Sequence, residues 1–171
     1  MSVKKEELGM ADQMILVCRR KDGTVKWITD TKTDPIGMKS NSMAKTGMAI
    51  VAGLILIDVA GTAFDFVGIG DSATAESADH TDLQAVTNKK YKTATGTRIT
   101  TTFTNDTAQL VVTFSSADGL TGTWSVCESG VFNAVTPGVM LLRKIFTAKS
   151  CDWTAGDSLE VTAKCQMKQG A

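Results

Sequence analysis

Near its C-terminal end the chain alternates without a break: Leu159, Val161, Ala163, Cys165 and Met167 on one side, Glu160, Thr162, Lys164, Gln166 and Lys168 on the other. Successive side chains of a strand point to opposite faces, so this period of two predicts a half-buried β-strand. Shorter runs predict further strands near 64–70, 98–103, 109–114, 124–132 and 139–146. Asn105-Asp106, Asp118-Gly119, Pro137-Gly138 and Gly156-Asp157 supply turn chemistry between several of them.

Met14-Ile15-Leu16-Val17-Cys18 and Val25-Lys26-Trp27-Ile28 flank Asp22-Gly23. An Asp-Gly step between two β-rich runs predicts a hairpin, because Gly23 can adopt the positive φ that a tight turn needs. One helix is expected, from Asn41 or Ser42 as cap to Ile57, with Met43, Met48, Ile50, Val51, Leu54 and Ile55 as its apolar face. Gly47 and Gly53 weaken it by about 1 kcal/mol each relative to alanine, which keeps β-structure open for 50–59. About eight strands around one helix form the pattern of a mainly β domain, a β-sandwich or jelly roll. The expected organisation is an N-terminal arm at 1–12, a hairpin and linker at 13–40, and a sandwich body with the helix at 41–171.

Composition narrows the function. The 171 residues carry 18 Lys and Arg against 18 Asp and Glu, so no net field draws the chain to nucleic acid or an anionic membrane. The longest apolar run, 48–57, is broken by Gly53 and falls short of the roughly 20 residues a bilayer span requires. The first ten residues lack the apolar core of a secretory signal, so the four cysteines are expected to stay reduced, although strand cysteines far apart in sequence can meet in space. Their spacing and the single histidine lack the ligand grammar of a zinc site.

The candidates for chemistry are weak. Gly68-Ile69-Gly70-Asp71 follows a strand, but Ala73 occupies the third glycine position of a nucleotide loop, so it reads as a turn. Asp79-His80-Thr81-Asp82 sets an imidazole between carboxylates without an activated nucleophile anywhere in the chain, and it reads as a solvated loop in which Thr81 or Asp82 caps a short turn. No catalytic residue, cofactor or metal is expected. Contact residues are expected instead: Lys4, Lys5, Leu8 and Met10 in the aperiodic arm, Arg19 and Arg20 at the hairpin tip, and Trp27 as an aromatic anchor outside the core.

Two segments carry a resemblance. Phe64-Asp65-Phe66-Val67-Gly68-Ile69-Gly70 with Thr81-Asp82-Leu83, and Val126-Cys127-Glu128-Ser129-Gly130-Val131-Phe132-Asn133, are similar to "aromatic-x-hydrophobic-x-IGxG … TxL" and "I-x-E-x-G-hydrophobic-F-N" patterns of tailed-bacteriophage virion proteins. Gln84-Ala85 departs from that pattern, which often has an acidic residue after TxL. The resemblance implies a virion component assembled in the host cytoplasm: a capsid decoration or cement protein that binds the major capsid protein or other virion proteins, as a homo-oligomer. A tail or fibre-base protein, or a glycan-binding recognition module, are the alternatives. Glu128, an ionisable residue on a sheet poor in charge, is expected to meet a backbone donor or a base such as Arg98 or Arg143, and Gly130 to permit a bulge.

Overall fold

The computed structural model describes residues 9–39, 43–54, 62–135 and 138–168. Nine strands make two antiparallel sheets: β1 (Gly9–Arg19), β2 (Val25–Asp30), β3 (Phe66–Gly70), β4 (Lys89–Thr93), β5 (Thr95–Ile99), β6 (Thr107–Phe114), β7 (Thr123–Phe132), β8 (Met140–Asp152) and β9 (Ser158–Lys168). The five-stranded sheet runs β2-β1-β9-β6-β5 and the four-stranded sheet β4-β3-β7-β8. The mainly β, sandwich-like class expected from the alternation is the one observed.

The core lies between the sheets. Met14, Leu16, Val112, Phe114, Leu159 and Val161 come from one sheet, and Val67, Ile69, Trp124, Val126, Val131 and Phe146 from the other, all buried. In β9 the apolar set of the alternation turns inward, while Glu160 and Thr162 lie opposite Val17 and Ile15 on the outer face. Ala94 alone separates β4 from β5, so the chain crosses from one sheet to the other there.

Several boundaries differ from the sequence expectation. β1 begins at Gly9 and pairs with β9 along its whole length, Met10 against Met167, so the arm gives way to sheet four residues earlier than expected. The same pairing makes the hairpin an integral part of the body. Its turn is as expected, with Gly23 at φ +84°. The strand expected at 98–103 is displaced to Thr95–Ile99, because the Asp106 carboxylate accepts the backbone N–H groups of Thr101, Thr102 and Phe103 and bends that stretch into a turn. Strand β4 carries no alternation of apolar residues and was not anticipated.

The helix α1 spans Lys45–Leu54; the expected cap residues 41–42 and the stretch 55–57 lie outside the described residues. Gly47, a weak point by propensity, is where the helix meets β8. A Cβ there would sit 2.5 Å from the Leu141 Cα and the Met140 carbonyl oxygen, so only glycine permits the approach. The β7–β8 register has two irregularities, and the one between Val131 and Phe132 leaves Leu141 without a partner and brings both Leu141 and Leu142 into the core. The expected bulge therefore falls in β8. Gly130 instead makes room for the Phe132 ring, 2.9 Å from where its Cβ would be.

Candidate functional site

The residues of the two resemblance segments meet on the outer face of the four-stranded sheet. Gly68 and Gly70 leave a shallow floor on β3, over which the segment after the small-residue loop is laid. Cβ atoms at these two positions would collide with the Tyr91 ring and Leu83, and with the Glu128 carboxylate. Leu83, Phe132, Met140 and Ala44 form a second apolar cluster there, with Phe66 and Tyr91 against it.

Glu128 and Arg143 organise this cover. Both are at most 1% exposed, and Arg143 Nε donates to Glu128 Oε2 at 2.6 Å. The same carboxylate accepts the backbone N–H groups of Gln84 at 3.0 Å and Ala85 at 2.8 Å. Arg143 Nη2 donates to the carbonyl of Thr74 at 3.0 Å. One buried ion pair thus grips both ends of the 74–85 segment. A carboxylate so engaged has its lone pairs committed to holding backbone. Of the two bases considered from the sequence, Arg143 is the partner; Arg98 is exposed on β5. Gln84 and Ala85, the departure from the pattern, contribute backbone donors, for which side-chain identity is immaterial.

Asp82 lies in the loop with 47% of its side chain exposed, and it is also tied to the same structure. It accepts from Lys89 Nζ at 2.8 Å, from the Tyr91 hydroxyl and from the Leu83 backbone. Burial pushes the carboxyl up, but the bonds from Lys89 and Tyr91 outweigh it and hold Asp82 below the usual carboxylate range. Burial, together with Asp82, drives the Tyr91 hydroxyl upward. Asp79 is exposed and pairs with Lys45 at 2.7 Å, while His80 is half-buried with its Nδ1 shielded from solvent.

The free edge of the four-stranded sheet, β8, is capped along its length. Ala44 N donates to the Leu141 carbonyl, Glu76 accepts from Ile145 N at 2.6 Å, and Asp34 accepts from Thr147 N at 3.1 Å. Trp27 Nε1 donates to the Ser150 carbonyl at 2.9 Å. An edge whose donors and acceptors are taken offers no template for another strand.

The expected contact residues do not form one site. Lys4, Lys5 and Leu8 lie outside the described residues. Met10 is half-buried at one end of β1, and Arg19 and Arg20 are exposed at the other, roughly 30 Å away along an extended strand. Trp27 is not an external anchor: it stands opposite Cys18 on the inner face of β2 and packs against the core. Tyr91 and the other two tryptophans, the remaining aromatics a glycan-binding module could use, are also engaged. Trp124 and Trp153 stack edge to face within the core with ring centroids 5.8 Å apart, and Tyr91 meets Phe132 in the same geometry at 5.1 Å.

What stays open is the outer face of the five-stranded sheet and the end where β1 begins. Ile15, Val17 and Val111 are half-exposed there, and Ile28 is 59% exposed. At the β1 end an apolar cavity of about 820 Å³ lies among Met10, Met48, Phe64, Leu110 and Met167, with Arg98 at its rim. Among the described residues no three of His, Cys, Asp and Glu gather as a metal site, and no helix is long and apolar enough to cross a membrane. Comparison with protein-family models, with curated proteins and with solved structures finds no match.

Proposed function

We propose that this chain is a non-enzymatic structural protein of a tailed-phage virion, a decoration protein that stabilises the head lattice by binding the major capsid protein. The observation that carries this reading is the asymmetry between the two sheets. The four-stranded sheet commits Glu128, Arg143 and its β8 edge to its own cover, and the five-stranded sheet leaves β-branched residues on an outer face that a partner can bury. The segment 1–8 joins the body at the β1 end of that sheet. Eight extended residues can reach about 28 Å, enough to lie on a neighbouring subunit. Stabilisation then comes from burial of apolar surface and from symmetry-related copies, with no chemical step.

The test uses heads from a phage that encodes this chain, purified without the protein. Added wild-type protein should co-sediment with these heads and raise their resistance to heat. A variant lacking residues 1–8 should remain folded by circular dichroism and lose co-sedimentation. Failure of the wild-type protein to bind, or full binding by the truncated variant, contradicts the reading.

A further inference from the structure

We infer that Cys18 and Cys151 form a redox-dependent disulfide that staples the two sheets together. All four cysteines are free and buried. Only these two meet among the hydrogen bonds between described cysteines: Cys151 Sγ donates to Cys18 Sγ at 3.3 Å, across 133 positions of sequence. Cys18 belongs to β1, second strand of the five-stranded sheet, and Cys151 to β8, edge of the four-stranded one. A disulfide has its sulfurs about 2.05 Å apart, so the pair must close by roughly 1.3 Å more, a displacement within reach of side-chain rotation.

The surroundings say which sulfur reacts first. Cys18 has Trp27 as its neighbour on β2 and Leu159 on β9, and Cys151 stands opposite Trp124. The hydrogen bond from Cys151 favours the Cys18 thiolate more than burial and Asp157 oppose it, and Lys26 and Arg20 add to the effect, so the Cys18 thiol lies below its ordinary value. Cys151 is pushed upward by its bond to Cys18 and by burial. Cys127 and Cys165 are each raised to about 11, first by burial and then by nearby carboxylates, Glu128 and Asp71 for Cys127 and Asp12 for Cys165. Cys18, the acceptor of the Cys151 hydrogen bond with Lys26 and Arg20 nearby, is assigned as the sulfur that attacks first, and no such thiol contact joins Cys127 or Cys165 among the described residues.

Both sulfurs are shielded from solvent, so an oxidant reaches them through local opening of the β2 edge, whose ties to the other sheet and to the β8–β9 turn include the Trp27 bond to Ser150 and the Lys26–Asp157 pair at 2.5 Å. A small-molecule disulfide such as oxidised glutathione serves as the oxidant. The Cys18 thiolate attacks one glutathione sulfur and expels the other as thiolate. Cys151 gives up its proton and attacks Cys18 Sγ, expelling the second glutathione thiolate. Two protein thiols are oxidised by two electrons and one small disulfide is reduced to two thiols. The new bond closes a loop spanning most of the chain, which constrains the unfolded state strongly. This inference is independent of the virion reading and holds for any compartment more oxidising than the cytosol.

The full-length reduced protein is incubated with oxidised glutathione, denatured, alkylated and mapped by mass spectrometry. The expected result is a peptide pair joining Cys18 to Cys151, two hydrogens lighter than the sum of its parts, with Cys127 and Cys165 alkylated. The melting temperature should rise by several degrees and return to its starting value with dithiothreitol. Cross-links to Cys127 or Cys165, stable glutathione adducts in place of the Cys18–Cys151 link, or four alkylated thiols after incubation close to the melting temperature would overturn it.

Discussion

The two antiparallel sheets share one core, yet the outer face of the four-stranded sheet is covered and that of the five-stranded sheet is open. The outer face of the four-stranded sheet is closed by the 74–85 segment and pinned by Glu128 and Arg143, with Asp34, Glu76 and Trp27 sealing its edge. The outer face of the five-stranded sheet carries Ile15, Val17, Val111 and Ile28 beside Glu160 and Thr162, all at least partly open to solvent. The difference shows that ionisable residues in this chain act as fasteners. A buried charge is costly alone, and Glu128 is tolerated because a guanidinium and two backbone amides meet it.

The largest expected effect follows from removing one half of that fastener. Glu128→Ala leaves Arg143 uncompensated and two amides unpaired, and should cost about 3–5 kcal/mol. Urea unfolding measures it, and a loss below about 1 kcal/mol would mean that the cover holds without the ion pair. Val161→Ala, in the core both sheets share, should cost about 1–3 kcal/mol through lost burial and a residual cavity. It gives the reference against which the cover is judged: Glu128→Ala should exceed it.

Acid should act on the edge seal at Asp34 and on two further carboxylates outside it, Asp118 and Asp157. Asp34, Asp118 and Asp157 are pushed up by burial but held below the usual carboxylate value by stronger bonds: to Asp34 from Gly37 and Thr147, to Asp118 from Lys92, to Asp157 from Lys26. A carboxylate depressed in the folded state contributes stability above its unfolded value of about 3.9, and loses that contribution as pH falls through the folded value. The urea midpoint should therefore change little through these groups between pH 7 and pH 5 and drop below about pH 4. Asp34→Asn should flatten part of that drop. The smallest effect belongs to the open face: Ile28→Ser should alter stability by less than about 0.5 kcal/mol, and lower head binding in the co-sedimentation measurement.

The sequence makes β9 and the hairpin legible because each has one face in the core and one outside, which imposes alternation, and it shows β7, buried on both faces from Val126 to Phe132, as a run of apolar and small residues instead. It conceals β4, whose Lys89-Lys90-Tyr91-Lys92 has no such pattern: Lys89 and Lys92 are satisfied by Asp82 and Asp118, and Tyr91 packs on the outer cluster. It conceals β5 because that edge strand is nearly all exposed. The partner of Glu128 was within reach, since a lone carboxylate in a strand demands a base and Arg143 was one of two on offer. The edge seal was not. Asp34 on Thr147 and Trp27 on Ser150 join positions 113 and 123 residues apart, and no local spacing encodes such pairs. The placement of Trp27 against the core is hidden for the same reason: its aromatic character is visible in the sequence, and the carbonyl of Ser150 that its indole meets is not.

Hydroxyl-radical footprinting of the protein, free and bound to phage heads, tests the contrast between the sheets most directly. Side chains of Ile15, Val17 and Ile28 on the open face, and of Met10 and Met167 at the β1 end, should lose reactivity on binding. His80 and the residues around it, over the closed sheet, should keep theirs. Protection of the 74–85 side with Val17 and Ile28 unchanged would place the partner on the covered sheet and contradict the account.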